Sequence, residues 1–411
     1  MNLLQRTAQL TIPLLLGALL VVGIAEGQTG DPHRTYPRRG KKTVVDPFAP
    51  VVPTERNPDR GVYDGYGRDT RGAIRLLRAT ELRQEQSASG EVAYLEGDVK
   101  LIQDSLTIWC DRAHHRKARR VLELFGDVVM IDPEKTLKAD HVVYYEASRR
   151  SVAKGNVEVI RDSVILSSSQ GQYDETASTA TFDQNMRLYD LRRDVELTGV
   201  VGTYDMKEEL GRVPIDPVLI SYDSTGGEEA RITGLYMEYN AARGMAIVRD
   251  SVTIAWHDVR GRSDRLEYYP DLSKALMVGS PLVLRERDEA VGDSIWLYIT
   301  DGAIDSVMII GQALALTPSD STQTSPRSTL EGERIVMDFD NGKVIRMQSD
   351  GQAVGVYHIF EHGVDKGSNR VSGDRVTLWM GEEGLKDVNV LGGSQGRFLP
   401  PHLAKDLRRG K

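Results

Sequence analysis

Three sets of residues in this 411-residue chain are of types that could do chemistry. The first is His358-Ile359-Phe360-Glu361-His362, an H-x-x-E-H arrangement that holds zinc when both histidines project from one helical face. Here Val354, Val356, His358 and Phe360 alternate between Gly351, Gly355 and Gly363, which is the pattern of a strand. A strand spreads the two histidines too far apart to share an ion. The second is Cys110, the single cysteine, which excludes an intrachain disulfide and falls on an inward-reading position where a thiol is inert. The third is a recurring aspartate: Asp111 and Asp140 stand 29 residues apart. The glycine-rich nonapeptide that binds calcium is absent, so these carboxylates are expected to sit at corners and bond free backbone N–H groups. Carboxylates clustered on one face, as glycoside cleavage requires, are absent too. The expectation is a protein with no catalytic residue, no metal and no cofactor.

The elements that would hold these residues follow one beat. Gly97, Gly126 and Gly155 are 29 residues apart, and so are His115, Tyr144 and Tyr173. A period of that length marks a repeat array in which each unit covers its neighbour's apolar face. Within a unit the apolar residues alternate. Val99, Leu101, Leu124, Val128, Met130, Val157 and Val159 share one parity, and Ile108, Leu137 and Leu166 read inward in the next strand. After Asp111 or Asp140 the parity slips by one, to Ala113 or Val142, and only a bulge can absorb such a slip. Glycine at the middle of the strand leaves room for a bend, so each unit reads as two bent antiparallel strands, dry inside and wet outside. A fourth copy carries Phe182, Met186, Leu188, Val195 and Leu197 inward. Looser echoes at Asp264, Asp293 and Asp374 continue the pattern. Tyr144, Tyr173 and Tyr268 are read as core aromatics.

Around this array the chain divides by composition. Residues 1–27 read as a signal peptide: Arg6, then an apolar stretch from Leu10 to Ile24, then the small residues of a cleavage site. Cleavage is the first expectation and a retained single-pass anchor the second. Residues 28–71, rich in Pro and Arg, read as a disordered linker. Residues 72–204 hold the clear repeats and 232–396 a second set. Residues 205–231, with Pro214, Pro217 and Gly226-Gly227, are expected as a long loop or a seam between two lobes. Thr317 to Ser328 reads as a surface loop, and 397–411 as a frayed basic tail. A net charge of −8 is modest for this length and argues against nucleic acid as a partner.

Tyr94-Leu95-Glu96-Gly97-Asp98-Val99, followed by Leu106-Thr107-Ile108-Trp109-Cys110-Asp111-Arg112-Ala113, resembles the LptA/OstA family of lipopolysaccharide-transport proteins. Ala139-Asp140-His141-Val142-Val143-Tyr144 and Gly155-Asn156-Val157 match the same pattern. The resemblance is strong over about 72–204 and weaker from about 232 to 395. It implies an all-β fold of repetitive bent antiparallel strands: an open, V-shaped β-jellyroll, or β-taco, solenoid, in one run or two lobes. It also implies a periplasmic, non-enzymatic protein that shields the acyl chains of lipopolysaccharide or lipid A in its crease on the way to the outer membrane. Edge-strand pairing with LptC-like and LptD-like proteins, and head-to-tail self-association, would follow. The candidate lipid-binding residues are the sixteen inward ones named above, and the candidate corners are Gly97, Asp111, Gly126, Asp140, Gly155, Asp264, Asp293 and Asp374. The chain departs from the family in carrying about twice the repeats of a simple bridge protein and no C-terminal stretch suited to an outer-membrane barrel. An LptC-like anchored component and a structural or carbohydrate-binding β-solenoid remain alternatives.

Overall fold

The structure, a computed structural model, describes residues 73–87, 90–319, 327–361, 364–381 and 384–401. The expected signal peptide and linker, His362 and residues 402–411 lie outside them.

Period-two alternation leaves these segments one stable solution, a sheet with one face buried. All the described strands join a single antiparallel sheet in which each pairs with the strand next to it in sequence or the next but one or two, the longer steps falling where a bent strand is broken into two halves. The strand Gly90–Gln103 shows the local design. Ala93, Leu95, Val99, Leu101 and Gln103 are buried, and Glu96 and Asp98 are exposed. Against its partner Leu106–Arg116 the register jumps between Glu96 and Val99, so Gly97 and Asp98 stand opposite Asp111 alone. That two-against-one bulge keeps both strands' apolar residues on the same face. Both bulge residues have left-handed φ, +73° at Gly97 and +50° at Asp98. The same jump falls at Gly126 and Gly155, each followed by a left-handed Asp127 or Asn156.

The bulges fold every strand over. Trp256 and Tyr268 lie on paired strands, but Tyr268 pairs with Ala246, ten positions from Trp256. Along a straight strand that separation would be about 33 Å. Their ring centroids are 5.8 Å apart. The two arms of the sheet therefore face each other across a V-shaped crease, and the buried side chains of both form one continuous hydrophobic cluster from Ile74 to Leu378.

The stretch 205–231 is not a long loop. Leu210–Val213 and Val218–Tyr222 both pair with the preceding strand Val195–Asp205, acting as the two halves of one bent strand around Pro214 and Pro217. Proline cannot donate to the ladder, so the corner is where it can be tolerated. The sheet runs on without a break into Glu228–Thr233 and Tyr236–Asn240. Two further expectations are corrected. Thr317 and Pro318 end one strand and pair with Ser328 and Arg327 of the next, so both ends of the expected surface loop are strand, and 320–326 lie outside the described residues. Residues 397–399 close the strand Gln395–Leu399, which pairs with Ser368–Ser372, so the tail is ordered further than expected. The H-x-x-E-H segment lies on the strand Lys343–Glu361 as far as Glu361.

Candidate functional site: the crease and its mouth

All sixteen candidate lipid-binding residues, from Val99 to Leu197, point inward and are buried in the shared core. The eight corner residues all fall at or beside bulges. Their chemistry differs from the expected capping. A Cβ built on Gly126 would lie 2.2 Å from the Asp111 carboxylate, and one on Gly155 2.3 Å from that of Asp140. Each carboxylate thus rests over the bare Cα of the next corner glycine. The same holds for Asp264 over Gly279, Asp293 over Gly311 and Asp374 over Gly392. In these three pairs the aspartate's own backbone N–H donates to the glycine carbonyl. Gly97 lies against Thr80 instead.

Burial pushes the Cys110 thiol up to about 12, which suits an inert core residue.

The hairpin tips at the two ends of the folded strands form two rows, and bonds between the rows cross the mouth of the crease. The Tyr144 hydroxyl donates to Gln103 at 2.7 Å, and Arg149 pairs with Asp104 at 2.9 Å. Arg161 reaches the Met206 carbonyl. The Tyr239 hydroxyl donates to Asp190 at 2.7 Å, and that of Tyr268 to Ser221 at 3.1 Å. The Trp256 indole N–H donates to the Gly302 carbonyl at 3.0 Å. The partners lie 41 to 49 residues apart in sequence, three strands onward. The repeat therefore stitches its own mouth.

Two clefts that share Leu137, Ser151, Val159 and Tyr173 interrupt this closure. The larger, about 430 Å³ counting space open to solvent, has Leu106, Met130 and Tyr144 in its walls and Lys135, Arg149, Asp132 and Glu175 at its rim. Lys135 pairs with Asp132 and places its ammonium 4.3 Å from the Tyr173 ring centroid. Burial pulls the Lys135 pKa down, but Asp132 and Tyr173 outweigh it and leave the pKa above the ordinary lysine value. The cation is therefore permanent at neutral pH. Tyr173 is only partly buried because it lines this cleft, whereas Tyr144 and Tyr268 are core residues as expected. Inward parity identified the greasy walls. It could not find the rim, whose residues lie in turns. The one available signal was the 29-residue tyrosine beat, which marks the last inward position before each tip.

Burial raises the Tyr144 pKa to about 12 and also lifts those of Tyr239 and Tyr268 above the ordinary value. A tyrosine raised on folding contributes stability below its unfolded pKa of about 10. That contribution is lost as pH rises through the folded value. Stability is thus expected to be flat with respect to these groups at neutral pH and to fall between about pH 10 and about 12. A spectrophotometric titration of tyrosinate should show these rings ionising together with loss of β-sheet circular dichroism; ionisation with the sheet intact would refute the closed mouth.

Residues 71–207 match the model of the OstA-like protein family. The OstA-like segment covers the clearest repeats, both clefts and about a third of the chain. Among solved structures, LptH, the LptA-homologous periplasmic component of the lipopolysaccharide-transport device of Pseudomonas aeruginosa, is similar at 14% identity. That match covers 34% of this chain and 95% of LptH, with a TM-score of 0.28. No curated protein matches the chain.

Beyond the OstA-like segment, the outer face carries rings that bear on the carbohydrate alternative. Tyr269 and Trp296 are 6.5 Å apart with 24° between their planes. The Lys274 ammonium lies 5.6 Å and 4.9 Å from their centroids and packs against the faces a sugar would need.

Proposed function

We propose that the protein is a non-enzymatic, periplasmic carrier that shields the acyl chains of lipopolysaccharide, through its lipid A, on the way to the outer membrane. The observation that supports this reading is the join of an apolar cleft to a rim of paired charges, Lys135 with Asp132 and Arg149 with Glu175 and Asp104. Leu106, Met130, Leu137 and Val159 offer walls for alkyl chains, and Lys135 and Arg149 stand where an anionic headgroup would remain in water. Shielding apolar surface is worth about 25 cal/mol per Å², so one chain moved from water into the crease gains several kcal/mol without catalysis. The OstA-like match over the same strands, and the periplasmic transport role named for LptH, agree with it.

The partners that fit are other transport proteins of LptC-like or LptD-like type, or a second copy. They would pair with the outermost strands, where Leu82, Leu391 and Phe398 are exposed.

The test is to export the full chain through a Gram-negative host and identify bound lipid by mass spectrometry. Lipopolysaccharide or lipid A is expected on the wild type. Replacing both Lys135 and Arg149 by glutamine is expected to lower retention several-fold, because each removes an attraction of about 0.5 kcal/mol to the headgroup. A folded, lipid-free wild type would sink the carrier reading in favour of a structural solenoid.

A further inference from the structure

We propose that Asp190, Arg193 and Tyr239 form a permanent clamp that ends the ligand-accessible stretch of the crease, so that acyl chains occupy only the part before it. This rests on the carrier reading and adds where in the array the cargo lies. Side chains of both arms already fill the crease, so an acyl chain enters only where the arms can part. The stitches near the clefts are suited to parting. Arg149 and Asp104 are 47% and 42% exposed, so water takes over their charges when they separate. Tyr144 and Gln103 are neutral.

The next stitches are built differently. Asp190 is fully buried and accepts from the Tyr239 hydroxyl at 2.7 Å and from Arg193 at 2.8 Å. Arg193 lies on one row of tips and also reaches the other row, donating to the Ala241 carbonyl at 2.7 Å and, through two nitrogens, to Asp271 at 2.7 Å each. Asp271, and then Asp190, hold the guanidinium pKa above its ordinary value, so the charge is fixed. Parting the arms here would take Tyr239 from the buried Asp190 carboxylate, and Asp271 and the Ala241 carbonyl from Arg193, leaving buried polar groups short of partners. Met130, Leu137 and Val159, which line the clefts before the clamp, keep 4–7% exposure.

Hydrogen exchange and photo-labelling of the full chain test this together. Amides at 191–194 and 239–244 should exchange more slowly than those at 104–105 and 146–149. Tyr239→Phe should speed exchange at 239–244 about tenfold or more, the factor carried by a hydrogen bond to a charged group. Should that variant fail to fold, Asp271→Asn loosens the same clamp from its exposed end and should shift exchange in the same direction. With a dodecyl phosphate bearing a terminal diazirine as probe, wild-type labels should fall before residue 190. In the loosened variant they should extend to peptides containing Met237 or Met277. Wild-type labels beyond the clamp, or exchange equal at all four tips, would overturn the clamp. Absence of labelling throughout would overturn the carrier reading, and the exchange contrast would still decide the clamp.

Discussion

Asp190→Ala is expected to destabilise the protein by about 3–5 kcal/mol, the cost of breaking a buried ion pair by removing one partner. The carboxylate is fully buried and carries bonds from Tyr239 and Arg193 on opposite rows of tips. Its removal leaves a buried tyrosine hydroxyl without its acceptor and takes the inner anchor from Arg193. Arg193 keeps Asp271, which is half exposed, so the loss should stay near the lower end of that range. Asp104→Ala, at an exposed stitch, should cost no more than about 1 kcal/mol. Urea unfolding followed by circular dichroism separates the two. In a repeat array, where each unit contacts only its neighbours, the Asp190 variant should also split the transition, because the centre loosens before the ends. A single transition shifted equally by both substitutions would show that the middle of the mouth is no different from its start.

Gly126→Ala should cost about 2–4 kcal/mol, combining left-handed backbone strain with overpacking. Its φ is +75°, and its added methyl would meet the Asp111 carboxylate and Cβ at 2.2–2.9 Å. Asp111 is held by its own strand, so it cannot yield as the free end of a long side chain would. Pairing the change with Asp111→Ala removes the contact with the carboxylate but leaves the Cβ contact at 2.9 Å and the backbone strain, so the double variant should recover part of the loss. Gly171→Ala is the control. Its φ is not left-handed and its nearest neighbours lie at 3.4 Å, an ordinary contact, so little change is expected. Thermal unfolding of the three variants gives the comparison, and equal effects at Gly126 and Gly171 would remove the corner from the account of the bend.

Much of this architecture is local, and local chemistry is legible along a chain. Parity alone placed Val99, Ile108, Val142 and Phe182 in the core, because a strand alternates its faces whatever surrounds it. The parity slip at Asp111 announced a bulge, since no other device keeps Cys110 and Ala113 on one face. The role of that aspartate was misjudged because its contact, the glycine of the next strand, depends on register between strands. The break at 205–231 was misjudged for a related reason. Pro214 and Pro217 end a strand locally, yet the ladder on either side resumes on the same partner.

The sequence by itself determined a repetitive, bent, one-faced sheet, because alternation, glycine spacing and the 29-residue beat act within a few residues of each other. Only the tertiary structure decided that the crease is stitched shut, that it opens at Lys135 and Arg149, and that Asp190 meets Tyr239. Those contacts join tips 41 to 49 residues apart. Which tips meet is set by the twist and stagger accumulated over three strands, a quantity no single segment carries.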